Sequence, residues 1–339
     1  MISISILDQV PVSDGQSPKK ALLNSIELAK LADNMGYKRY WIAEHHSCKY
    51  LANSTPEILM SSIAAQTENI KVGSGGILLQ HYSPYKIAEN LKLLDALYPH
   101  RIDAGFGRTA GGDSHATQAL QGLNSTPYEL KIKQTVDFLT KQAINDNELI
   151  VSPLTESYPE IWLLGSGMKS AEIAANEGLS FAFGHFLKPD DGEKAIDYYL
   201  NNFKPSSAQH KPNVALCINV ICADSEEKCE DIATSQDLMT ILLDRGLNPN
   251  GSPNPNDAKN FVLADKEKEL ISKSRQELIL GTPQKVRKEI LRLSRQYKAD
   301  EILILTITYD HNDRLNSYKL IMEEMKNDIK KNDEVLLSI

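Results

Sequence analysis

IKVGSGGILLQHYSPYKIAENLKLLDALYPHRIDAGFGRTAGGD, residues Ile70 to Asp113, reads as strand, glycine-rich break, helix, strand and glycine-rich loop. Ile70, Val72 and the run Ile77-Leu78-Leu79 suit a buried strand, which Ser74-Gly75-Gly76 interrupts with three small residues. Glycine inside a strand marks a bulge or a place where another group approaches the backbone closely. Pro84 suits a first helical turn, where no amide hydrogen is needed. Ile87, Leu91, Leu94 and Leu97 then follow at helical spacing. A second strand, Ile102 to Phe106, ends in Gly107-Arg108 and the loop Thr109-Ala110-Gly111-Gly112-Asp113. On these residues alone, tight turns beside a surface arginine explain the pattern as well as a binding site does.

The strand-then-helix unit recurs on both sides of this stretch. Upstream lie a strand at Ile2 to Leu7, with Asp8-Gln9 at its end, and a helix opened by Ser17-Pro18 and closed near Gly36. A second strand, Arg39 to Ala43, and a helix, Glu57 to Thr67, follow. Downstream, the expected helices are Tyr128 to Ala143, Lys169 to Glu177, Asp190 to Asn202, Ser225 to Leu243 and Asn312 to Lys331. The expected strands there are Ile161 to Leu164, Leu179 to Phe183, Val214 to Ala223 and Ala299 to Thr306. Eight strands alternating with helices predict a single α/β domain, a closed (β/α)8 TIM barrel. A long doubly wound sheet shares the rhythm, but its first unit would carry a dinucleotide fingerprint that is missing here. One stretch breaks the rhythm after the seventh strand. Asp244 to Gly281, rich in proline and asparagine and then an acidic-basic helix-like piece through Arg275, reads as a mobile surface insertion.

Composition narrows the class. The 339 residues are 41% hydrophobic, enough for a large core, and 37 Lys+Arg against 45 Asp+Glu leave a charge of −8. That balance argues against a general nucleic-acid surface. No run approaches the length of a membrane span, and the first residues lack a basic, signal-like start. Cys48, Cys217, Cys222 and Cys229 form no C-x-x-C and read as reduced thiols of a cytoplasmic protein.

Active sites of such barrels lie at the C-terminal ends of the strands. Glu44-His45-His46 ends the second strand, and because neighbouring strand residues point to opposite faces, at most one histidine faces the barrel mouth. A structural hydrogen bond is the plain alternative for either. A metal site is not expected, because the histidines show no clustered ligand spacing. Gly165-Ser166-Gly167 precedes a helix, so backbone amides and a helix N-terminus converge as an anion hole, with Ser170 one turn in. Arg108 can add a forked charge contact.

VGSGGILL, ENLKLLDALYPHRID and GFGRTAGGD resemble the core of the bacterial luciferase-like flavin-dependent monooxygenases. WIAEHH (Trp41 to His46), WLLGSGMKSAEIAA (Trp162 to Ala175), GTPQKVRKEI (Gly281 to Ile290) and ADEILILTITYDHNDRLNSYKL (Ala299 to Leu320) extend the resemblance in order over nearly the whole chain. It implies a TIM barrel that takes reduced FMN as co-substrate, reacts it with O2 and oxygenates a small molecule. It also implies that Ser74, Gly75 and Gly76 back the flavin ring at a non-prolyl cis peptide. Arg108, Ser166, Gly167 and Ser170 would hold the FMN phosphate. His45 would serve proton transfer, with Glu44 as its neighbouring acid on the cofactor side. The insertion would act as a lid. Gly107 stands where luciferase itself carries a reactive cysteine, which argues against light emission with a long-chain aldehyde. A separate reductase would supply the reduced flavin, since the chain has no NAD(P)-binding fingerprint. The alternatives are a deazaflavin-dependent hydride transferase on the same barrel, and a flavin-binding protein without catalysis. Finally, the helix PEILMSSIAA (Pro56 to Ala65) is apolar or small nearly all round, which predicts a homodimer centred on Ile58, Met60, Ser61 and Ser62.

Overall fold

Strands buried on both faces carry near-continuous apolar runs, and the chain contains several, VALCINVIC among them. A computed structural model describes residues 2–121, 126–141 and 149–336. Within them the strands are β1 (Ser3–Asp8), β2 (Arg39–Ile42), β3 (Lys71–Ser74), β4 (Ile77–Leu78), β5 (Ile102–Gly107), β6 (Glu160–Gly165), β7 (Ser180–Gly184), β8 (Val214–Cys222), β9 (Leu278–Gly281) and β10 (Glu301–Leu305). The order β10-β1-β2-β3-β5-β6-β7-β8 closes on itself through a β8–β10 pairing. All its pairings are parallel, as in Ile6↔Tyr40 and Ala215↔Glu301. This is a (β/α)8 barrel.

Helices cover the outside, and their starts are written locally. Pro18, Pro56, Pro84 and Pro283 each occupy a first helical turn. There the missing amide hydrogen costs nothing. Ser17 and Ser83 accept hydrogen bonds from Lys20 N and Lys86 N and so cap two of these helices.

The barrel interior is layered. At the N-terminal end, Arg39 is fully buried and donates to Asp103 (2.7 Å), Glu301 (2.7 Å) and Glu160 (3.4 Å). Lys71 reaches Glu160 at 2.7 Å and Lys38 reaches Glu301 at 2.8 Å. Trp41 Nε1 donates to Asp103 at 2.9 Å, and the Arg39 guanidinium lies 4.8 Å from the centre of the Trp162 ring. Above this plug, Leu7, Trp41, Trp162, Ala182, Ala215, Cys217 and Leu303 form an apolar layer. The remaining interior, towards the C-terminal ends of the strands, is open.

Several elements differ from the sequence-based expectation. The expected third strand splits at Ser74-Gly75-Gly76 into β3 and β4, and a single turn of 3-10 helix, Leu79–His81, follows. The cause is close packing. A Cβ at Gly105 would collide with the Ser74 carbonyl oxygen, while Ser74 Oγ both donates to Gly105 O and accepts from Gly105 N. The second helix spans Pro56–Ala64, short of Thr67. The helix expected over Tyr128 to Ala143 spans Tyr128–Thr140, and residues 142–143 lie outside the described residues. In the 244–281 insertion the helix-like piece through Arg275 is the helix Asp265–Gln276, as expected, whereas the proline-rich part is not wholly loop: the helix Pro255–Asn260 forms within it, and both pack along Glu226–Asp244. β9 pairs with the far end of β8 beyond the closed ring. Arg275, which lies inside this segment, makes a two-pronged contact with Asp237 (2.7 Å to each oxygen), so charged pairs rather than apolar periodicity place it. Among the described residues no helix is long and apolar enough to cross a membrane.

Candidate functional site

A cavity of about 620 Å³ opens at the C-terminal ends of the strands. Its floor is the apolar layer, including Leu7, Trp41, Cys217 and Leu303, and burial pushes the Cys217 thiol far above the ordinary thiol range. Its walls are strand ends: Gln9 after β1, Ala43 to His45 after β2, Gly75 and Gly76 between β3 and β4, Gly107 to Thr109 at the end of β5, Gly165 to Ser170 after β6, and Gly184 with Phe186 to Lys188 after β7. No residue of the insertion is among the described residues that line it. The part of the insertion nearest the mouth is fastened to the rim. Asn248 exchanges hydrogen bonds with Ser47 O (3.1 Å) and Lys49 N (3.2 Å), and Ser252 bridges Ser13.

The two histidines after β2 part company. His45 turns into the cavity, its Nε2 buried without a hydrogen-bond partner, and burial and then neighbouring His46 lower its pKa to about 4. It therefore stands neutral at physiological pH. His46 turns away and donates from Nε2 to Glu44 Oε1 at 2.6 Å. Glu44, almost fully buried, also accepts from Tyr82 Oη (2.6 Å) and from the Leu78 amide (3.0 Å). These contacts tie the end of β2 to β4, so Glu44 acts on the site as an anchor of the wall. Lys131, buried on the helix Tyr128–Thr140, donates to the carbonyls of Gln80 (2.7 Å) and Tyr82 (2.9 Å) and holds the same turn from behind. His46 N donates to Gly111 O at 2.7 Å, which brings the loop after β5 against the end of β2.

The peptide between Gly75 and Gly76 is cis and faces the cavity. Ser74 is a correction to the expected lining. It is absent from the cavity wall because its hydroxyl is engaged with Gly105 on β5.

One strand beyond β5 in the ring, after β6, the helix Met168–Glu177 begins at Gly167 without a side-chain cap. Its first amides are therefore free to meet an anion, and space around Gly167 is open. Ser170 Oγ folds back over Gly165, where a Cβ would collide with it. Arg108 lines the same side, and among the described residues no carboxylate pairs with it. The Tyr128 hydroxyl nearby is buried and unpartnered, and burial raises its pKa, with Arg108 pulling the other way. The cavity thus brings together an unpaired guanidinium, the free amides of a helix start and a neutral imidazole. Among the described residues no group of three or more potential metal ligands is brought together.

Sequence reasoning missed Tyr82, Tyr128, Phe186 and Leu187. Only the position of the last two, just past the expected strand Leu179 to Phe183, could have signalled them. Asp8, placed at the end of β1, points outward instead. It accepts from Val10 N at 2.7 Å and from Ser25, Tyr40 and Arg314, and despite burial that set keeps its carboxyl below the usual range.

Comparison with known proteins agrees with this geometry. A family model described as luciferase-like monooxygenase matches residues 1–299. YceB of Bacillus subtilis is 41% identical over 95% of this chain and 99% of its own length. The N-acetyl-S-alkylcysteine monooxygenase of the same organism is 32% identical over 95% and 98%. Among solved structures, apo-MsnO8 superposes with a TM-score of 0.88 at 33% identity, covering 96% of this chain and 98% of its own. At 19% identity the likeness is one of fold: the oxygenating constituent of 3,6-diketocamphane monooxygenase from Pseudomonas putida, in complex with FMN, has a TM-score of 0.69 over 96% and 97%. With its parallel barrel, its open C-terminal cavity and these relatives, the chain belongs to the luciferase-like monooxygenase family.

Proposed function

We propose that the protein is an FMN-dependent monooxygenase that uses reduced FMN and O2 to oxygenate a small organic molecule. One oxygen atom enters the substrate, and the other leaves as water with the two electrons and two hydrogens of the reduced flavin. The observation that carries this reading is the meeting, in one cavity, of unpaired Arg108, the uncapped helix start at Gly167 and the unpartnered Nε2 of His45. FMN, when bound, supplies the reaction with oxygen, and the protein supplies binding, orientation and exclusion of water. Arg108, the amides after Gly167 and Ser170 hold the phosphate. The Gly75–Gly76 peptide backs the ring. His45 Nε2 holds or accepts a proton close to it, and Glu44 fixes the wall on which His45 stands. A separate reductase supplies the reduced flavin.

Titration with FMN, reduced FMN and a deazaflavin, followed by O2 consumption with a reductase present, tests the reading. Preference for the deazaflavin would overturn it. Arg108→Ala should weaken FMN binding by about 2 kcal/mol, roughly thirtyfold, for loss of a charge-assisted contact. Unchanged affinity would remove Arg108 from the phosphate site.

The same reading includes a homodimer, with one correction to the expected surface. Met60 is fully buried in its own core and takes no part in an interface. Ile58 is 73% exposed, and Leu93 and Leu97 are exposed on the helix Pro84–Leu97, which packs against the helix of Ile58. Such a patch on neighbouring helices suits a two-fold contact. Ile58→Arg should convert a dimer to a monomer in light scattering at micromolar concentration. A monomeric wild-type protein would sink the proposal.

A further inference from the structure

We infer that the substrate taken by this site is a small uncharged molecule, with an apolar body and one hydrogen-bonding group. This rests on the flavin reading above. The basis is a census of charge around the cavity. Among the described residues, Glu44, Arg108, Lys169 and Lys188 are the charged side chains that line it, with His45 beside them. Glu44 is committed to His46, Tyr82 and the Leu78 amide, so its carboxylate is already matched. Lys169 is drawn to Glu129 at 2.7 Å and Lys188 to Asp191, both with their heads largely in solvent at the rim. Arg108 is the one cation without a partner, and it stands beside the helix start that takes the phosphate.

What remains for a second molecule is mainly apolar, Leu7, Leu164, Phe186, Leu187 and Leu303 with Met168 at the mouth, beside the uncharged Gln9, Thr109 and His45. Met168 and Leu187 keep much of their surface exposed there, so an apolar body gains contact with both as it enters. A charged group placed among these side chains would lose its water with no opposite charge to replace it. A neutral polar group has the Gln9 amide as a partner, with the His45 imidazole lining the same cavity. Burial keeps that imidazole uncharged near neutrality, so it gives a carboxylate or sulfonate no electrostatic hold.

The test uses matched pairs on the FMN-loaded protein: N-acetyl-S-methylcysteine against its methyl ester, and octane-1-sulfonate against 2-octanone. Binding is read from the flavin absorbance change and from thermal stabilisation, and turnover from a reductase-coupled assay. The neutral member of each pair should bind at least tenfold more tightly. A charged member that binds as well or better, or failure of every neutral member to bind, overturns the inference and leaves the flavin reading standing. Failure to bind FMN overturns both. Leu187→Arg, at a position 59% exposed and so free to vary, should narrow the preference by raising affinity for the acid and the sulfonate. An unchanged ratio would place selection elsewhere and overturn the assignment.

Discussion

Replacing Arg39 by methionine is expected to destabilise the barrel by about 3–5 kcal/mol, the range for removing one partner of a buried ion pair. Arg39 is the centre of the plug: with its guanidinium gone, Asp103 keeps Trp41 Nε1 at 2.9 Å and Lys71 only at 3.9 Å. Burial already pushes the Asp103 carboxyl above its ordinary range against the pull of Arg39. Without Arg39 it should rise further. A carboxyl with a raised folded-state pKa favours the folded state below its unfolded pKa, and that stability is lost as pH rises through the folded value. The deficit of Arg39→Met should therefore be larger at pH 8 than at pH 5. Urea unfolding at the two pH values measures it. A deficit below about 1 kcal/mol at pH 8, or one that grows on acidification, would show that the plug does not depend on this cation.

The second large effect is on turnover. His45→Asn should slow substrate oxidation by about 10²-fold or more, the usual contribution of a positioned proton donor or acceptor. FMN affinity should stay close to wild type, because Arg108 and the helix start at Gly167, the proposed phosphate site, are untouched. The variant also has a signature independent of activity. With a folded-state pKa of about 4 against an ordinary 6.5, His45 refuses a proton that the unfolded chain accepts. Its contribution to stability is complete above pH 6.5 and is lost as pH falls from 6.5 towards 4. His45→Asn should flatten that part of the stability curve. Wild-type turnover in the variant would assign His45 a structural role, whatever the pH curve shows.

The sequence by itself determined the barrel and the strand ends that carry the site. Periodicity marked the units, proline and serine marked the helix starts, and the glycines of residues 73–76 and 105–112 marked places of close approach, backbone to backbone at Gly76 and Gly112. These signals are legible because each depends on neighbours a few residues away. The insertion read as a mobile loop for the opposite reason. Its helices are held by charged contacts such as Arg275 to Asp237, 38 positions apart, which leave no apolar period. Only the tertiary structure decided which of His45 and His46 enters the cavity, that Ser74 is engaged with Gly105, and that Met60 is core while Ile58 is surface. The plug was equally hidden. Arg39, Asp103, Glu160 and Glu301 look like ordinary charged residues at strand starts until closure of the ring brings them together. Side-chain direction at a strand end and pairing across a barrel depend on residues tens to hundreds of positions away, and no local pattern encodes that distance.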